Sequence, residues 1–168
     1  MLRTSAAALL ALCGAWVAPG ARADAPKLLV AVLEFRSPLP EAQRAPFGER
    51  LRYASLARTR LAVQAAGAKV MTVDEMQRLA AANPDALNQC DDESCVAVGK
   101  LLGADAVVEG VFGKDGKTLK ATLRLFDVRK GDDPLASFVV EAPTAERLLA
   151  EVSAASVKLA ARLPGARR

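Results

Sequence analysis

Lys27 to Phe35, KLLVAVLEF, is a nearly continuous apolar run, and a strand of that kind must be covered on both faces. It asks for a sheet with helices on either side. Further along, Leu119, Ala121, Leu123 and Leu125 alternate with Lys120, Thr122, Arg124 and, less strictly, Phe126. That is the pattern of a strand with one face buried and one face wet. A single domain must satisfy both demands.

The segments between them supply the other elements. Ser37-Pro38-Leu39-Pro40 ends the first strand, and a loop is expected to about Pro46. A helix is predicted over Phe47–Ala66, with Phe47, Leu51, Ala54, Leu61 and Ala65 inward, Arg58 interrupting the stripe and Gly67 as its stop. Ala68–Val73 reads as a short strand, and Asp74 as the N-cap of a helix Glu75–Ala82 that Asn83-Pro84 ends. Ser94–Leu102 is a short helix closed by Gly103, with Val98 and Leu101 or Leu102 facing inward, and Ala104–Phe112 an apolar strand. Lys114-Asp115-Gly116-Lys117 makes a hairpin turn, Gly131–Pro134 leads to a strand Leu135–Glu141, and Thr144 caps a last helix with Leu148, Val152, Ala155 and Leu159 inward. The order is β-α-β-α-α-β-β-β-α. The predicted fold is α/β (α+β), a mixed sheet of about five strands with helices packed on it.

The amino terminus reads as an export signal. Arg3 supplies the charge, Ala6 to Val17 the apolar core, Pro19-Gly20 the helix break and Ala21-Arg22-Ala23 the small-x-small cleavage pattern. Residues 1–23 are therefore predicted as a secretory signal peptide and 24–168 as one domain. A membrane span needs roughly 20 apolar residues, and this run has about 12. Leu10-Ala11-Leu12-Cys13 resembles a lipobox, although Leu12 is larger than the residue usual before the acylated cysteine. Cleavage after Ala23 gives a free periplasmic protein; lipidation at Cys13, with anchoring to the outer membrane, is the alternative.

Removing the signal takes away two arginines and no acid, so the net charge falls from +4 to +2. No basic cluster is interleaved with aromatics, which excludes nucleic acid as the expected partner. Cys90 and Cys95 are the only cysteines in the mature chain. In an oxidising compartment they are expected to pair; metal ligation and redox chemistry are the competing readings. The chain has no histidine and only these two thiols for a metal, and the spacing is not that of a C-x-x-C redox pair.

No catalytic constellation is found. Without histidine, the usual nucleophile–imidazole pairs are absent. Gly116-Lys117-Thr118 resembles the tail of a phosphate loop, but Val111 stands where the first glycine belongs and a strand follows rather than a helix. Cys90-Asp91-Asp92-Glu93-Ser94-Cys95 lacks the spaced ligands and central glycine of a calcium loop, so its acids read as helix-capping charges. No cofactor and no metal are expected. Glu34, Arg36 and Phe47 would line the carboxyl edge of the first strand, where open α/β sheets place ligands; a plain surface turn is the alternative.

The strand LLVAVLEF, the segment CDDESCVAVGKLLGADAVVEGVF and the hairpin LKATLRLFDVRKG resemble domains related to the amino-terminal domain of TolB. The same fold family includes the curli secretion protein CsgG and lipoprotein activators of penicillin-binding proteins. The resemblance covers about residues 27–163. It implies a non-enzymatic envelope protein that binds other proteins, with structural roles for Cys90, Cys95, Gly103, Ala104 and Asp105. The pore-forming hairpins of CsgG and a propeller of the TolB kind are not recognised, so only the domain type carries over. The expected function is that of an exported envelope adapter or assembly factor, with Lys120, Arg124 and Arg129 on its partner surface. A periplasmic small-ligand sensor or carrier using Glu34 is the first alternative, and an unrecognised hydrolase the second.

Overall fold

The computed structural model describes residues 27–88, 90 and 94–165. The signal peptide, its cleavage site at Ala23, Cys13 and the acids Asp91, Asp92 and Glu93 lie outside the described residues.

Five strands form one mixed sheet in the order β2-β1-β3-β4-β5. Strand β1 (Leu29–Val32) pairs in parallel with β2 (Lys69–Val70) on one side and β3 (Ala106–Asp115) on the other. Strands β3, β4 (Thr118–Asp127) and β5 (Ala136–Ala142) continue as an antiparallel meander. The apolar run at β1 is central and covered on both faces. Val30 and Val32 enter one apolar cluster, while Ala31 and Leu33 enter a second on the opposite face.

The first cluster lies under helices α2 (Glu49–Ala65) and α5 (Ala145–Ala160), which pack against each other and span the sheet. The second lies under α3 (Val73–Leu79) and α4 (Ser94–Leu102), and reaches only as far as Val107 on β3 and Phe126 on β4. A short helix α1 (Glu41–Arg44) and a 3-10 turn (Ala45–Phe47) occupy what the prolines led us to expect as loop. Among the described residues no helix is long and apolar enough to cross a membrane.

Several local expectations are corrected. The inward face of α2 is Leu51, Ser55, Leu56, Thr59 and Val63, whereas Leu61 is 59% exposed and Ala65 is exposed. Thr59 faces inward because α5 brings a second hydroxyl to meet it: Thr59 Oγ1 and Ser156 Oγ lie 2.9 Å apart, and each also bonds a carbonyl one turn back in its own helix. The buried Ser55 hydroxyl has no hydrogen-bond partner among the described residues. Helix α3 starts earlier than expected, capped by Thr72 rather than Asp74. Thr72 Oγ1 accepts from the Glu75 amide and Glu75 accepts from the Thr72 amide, a reciprocal capping box that outcompetes a lone aspartate. The extent of β2 shrinks accordingly. In the hairpin the two loop residues are Gly116 and Lys117, with Asp115 paired to Thr118. Only Gly116 takes positive φ, 56°, as a turn with glycine at its first central position requires.

Other expectations hold as written. Ser94–Leu102 is helical, with Val98 and Leu102 buried and Leu101 outward. Thr144 caps α5 by accepting from the Arg147 amide, and Leu148, Val152, Ala155 and Leu159 face the core.

Candidate functional site

Among the described residues, those of α3 and α4 cover only half of the sheet face beneath them. Beyond Val107 and Phe126 it changes from apolar to polar. Glu109 and Val111 of β3, Thr122 and Arg124 of β4, and Ser137 and Val139 of β5 share this side by strand alternation. Val139 is 61% exposed, and β5 is an edge strand with no further strand beside it among the described residues.

At the boundary between the covered and open halves sits Glu109, 1% exposed. A carboxylate in an apolar strand must be paired, because an unpaired buried charge is costly. Two arginines pair it. Arg36 donates from Nε (3.1 Å) and Nη2 (2.6 Å) to Oε1. Arg124, directly across the ladder from Glu109, reaches Oε2 from Nε at 2.8 Å and from Nη2 at 2.7 Å. Arg36 Nη2 also donates to the carbonyl of Cys90, and the Arg124 guanidinium stands 5.9 Å from the Phe126 ring centre. One buried carboxylate thus ties the loop after β1, the disulfide segment and β4 together.

Cys90 and Cys95 are bonded, with Cα atoms 4.5 Å apart, and both are buried in the second cluster. Their sulfurs and a Glu109 oxygen lie within 4.8 Å of one another. The sulfurs are spent on each other and the carboxylate on two arginines, so the group does not offer the free thiolates a metal needs.

The residues predicted as one partner surface are spread along β4. Lys120 bridges Asp115 (3.2 Å) and Glu141 (3.0 Å) near the hairpin. The hydrogen bonds to Glu141 and then Asp115 hold its ammonium above the ordinary value of 10.5. Arg124 is the central member, engaged with Glu109. Arg129 lies past the other end of β4, paired with Asp105. Asp105 also accepts from the Leu29 amide at 2.9 Å, while its own amide and carbonyl bond Leu29 and Val128. Gly103, at φ 63°, turns the chain from α4 towards it.

The residues predicted at the carboxyl edge of β1 divide. Glu34 is exposed and Arg36 joins Glu109 instead of lining an edge. Phe47 is 3% exposed and stacks on Phe112, with ring centres 5.2 Å apart, because the 3-10 turn folds it into the first cluster. Glu34 does border a cavity of about 520 Å³, together with Leu33, Val73, Met76, Gln77 and Leu87.

The sequence reading passed over Glu109, Val139 and the cavity wall. Glu109 was detectable as the one acid within the apolar run of β3, since such an acid demands a partner. Which partners answer it depends on residues 73 positions apart. Val139 carries no such signal, because an apolar residue in a strand is ordinary until the sheet order shows its side uncovered.

No family model matches the chain, and no curated protein matches it. Solved structures do. The lipoprotein GNA1162 from Neisseria meningitidis aligns at 20% identity and TM-score 0.50, over 79% of this chain and 96% of that one. The LpoB C-terminal domain from Salmonella enterica aligns at 13% identity and TM-score 0.49, over 71% and 86%. TolB from Acinetobacter baumannii aligns at 15% identity and TM-score 0.45, over 84% of this chain and 29% of that one. A likeness to CsgG is not shown. What this chain shares with GNA1162 is the fold.

Proposed function

We propose that this chain is a non-enzymatic accessory protein of the cell envelope that binds an extended segment of a protein partner along β5, across the open half of the sheet. The observation that carries this reading is the state of β5. It is an edge strand, backed by α5 on one face, and on the other it presents an exposed Val139. Edges without a binding role are usually blunted by charge. The one charged residue of β5 is Glu141, and Lys120 of the neighbouring strand already engages it. An added strand would gain backbone hydrogen bonds along β5 and pack a side chain beside Val139. On the strand behind, Lys120 answers Glu141 and Arg124 is held by Glu109, so reversing Lys120 would leave uncompensated acid beside the edge and blunt it. Export to the periplasm, or anchoring through Cys13, follows from the signal-like amino terminus, and the fold shared with a lipoprotein supports an envelope setting.

The test places a photo-crosslinking residue at Val139 in the full chain, expressed in an exporting bacterium. One discrete protein adduct is expected there, weakened by Lys120→Glu. None is expected from Val157, which is 63% exposed on α5. Equal adducts from both positions, or none from Val139, would count against the reading.

A further inference from the structure

We propose that the cavity at the carboxyl end of β1 binds a small amine ligand, with an apolar body inside and an ammonium group on Glu34. The site is separate from the open sheet face, and the two readings stand or fall independently.

Three observations converge. The cavity, open on one side, measures about 520 Å³, within the range of roughly 300–1,000 Å³ usual for small-molecule sites. Its inner wall is apolar and well packed: Leu33, Met76 and Ala80 are 3%, 4% and 0% exposed and carry no polar side-chain group. A ligand with an apolar body therefore meets a fixed wall and need not form one.

The second observation is charge. Among the described residues Glu34 is the only charged one lining the cavity, and Gln77 supplies the one side-chain amide. Among the described residues Glu34 makes no hydrogen bond or ion pair, and no lysine or arginine lines the cavity. An anionic ligand would face a carboxylate with no cation among the described lining residues to offset it, and a neutral one would leave Glu34 to water. A cation adds charge complementarity at the exposed rim of a site whose inner wall is apolar.

Third is topology. Strands β1 and β2 are parallel neighbours, and the cavity lies past the carboxyl ends of both, between Leu33 and Glu34 after β1 and Val73 at the start of α3 after β2. Ligands of open α/β sheets bind beyond the carboxyl ends of the strands. Leu33 and Glu34 stand at that position.

The experiment titrates the isotope-labelled full chain with hexylammonium, and with hexanol and hexanoate as neutral and anionic counterparts, following backbone amide shifts. Hexylammonium should move the amides of Leu33, Glu34, Val73, Met76, Gln77 and Leu87. It should bind about fivefold more tightly than hexanol, the upper end for a partly exposed ion pair, and hexanoate should bind least. Glu34→Gln should remove that preference and leave hexanol binding unchanged. Gln77→Trp, at an exposed helical position, should block all three ligands without unfolding the chain. The proposal is overturned if hexanoate binds as well as hexylammonium. It is equally overturned if shifts map elsewhere or do not appear, or if Glu34→Gln leaves the order of affinities intact.

Discussion

Replacing Glu109 by alanine leaves the two guanidinium groups of Arg36 and Arg124 facing a space that no longer holds an anion. Breaking a buried ion pair by removing one partner costs about 3–5 kcal/mol. Here the arginine side chains keep 34% and 18% exposure, so water can recover part of each charge. The lower end, about 3 kcal/mol, is therefore expected. Glu109→Gln keeps the shape and one acceptor but loses the charge, and should cost about 2 kcal/mol. Urea unfolding followed by far-ultraviolet circular dichroism reads both as a lower midpoint at unchanged slope. The comparison is Glu141→Ala, which removes a 51% exposed partner of Lys120 and should cost less than about 1 kcal/mol. A triple variant, Arg36→Met with Glu109→Leu and Arg124→Met, should recover most of the loss, because the penalty is uncompensated charge rather than missing volume. If Glu109→Ala costs no more than Glu141→Ala, the carboxylate is not what joins these segments.

Three more outcomes follow from packing and linkage. An ideal Cβ on Gly110 would stand 2.4 Å from the Phe35 ring, so Gly110→Ala should lower stability by about 1–3 kcal/mol by the same urea assay, whereas Gly113→Ala, with open space around it, should not. Replacing Cys90 and Cys95 together by serine should cost about 2 kcal/mol for the short loop alone; a shift of the Arg36 side-chain resonances is expected as well, because Arg36 donates to the Cys90 carbonyl. The backbone and then side-chain hydrogen bonds from Thr72 hold Glu75 below the ordinary value of 4.5. Its stabilising effect is thus present above that value and lost as pH falls through the lower folded one, so amide exchange in α3 should quicken there; Thr72→Ala, which keeps the backbone donor, should weaken the dependence, and Glu75→Gln should abolish it.

The mixed character of the sheet was readable from alternation because burial on one face or two leaves a direct trace in residue order. KLLVAVLEF announces a strand with two covered faces and the Leu119–Leu125 segment one with a single covered face, and the sheet has both. The caps of α4 and α5 were likewise local, since Gly103 and Thr144 act on the helix they adjoin. Helix α2 shows where that trace fades. Thr59 looks like a solvent-facing residue until Ser156 arrives from nearly a hundred positions away to meet its hydroxyl. The same limit applies to the functional surface. Sequence alone put Arg36 at a ligand edge and Arg124 on a partner face; tertiary structure made them two arms of one buried ion cluster through Glu109. It also decided that α3 and α4 stop short of β5, leaving Val139 uncovered, and that Leu33 and Met76 wall a cavity beside Glu34. A chain carries its own periodicity and caps, but which charges meet and which face stays bare are settled only when distant segments pack.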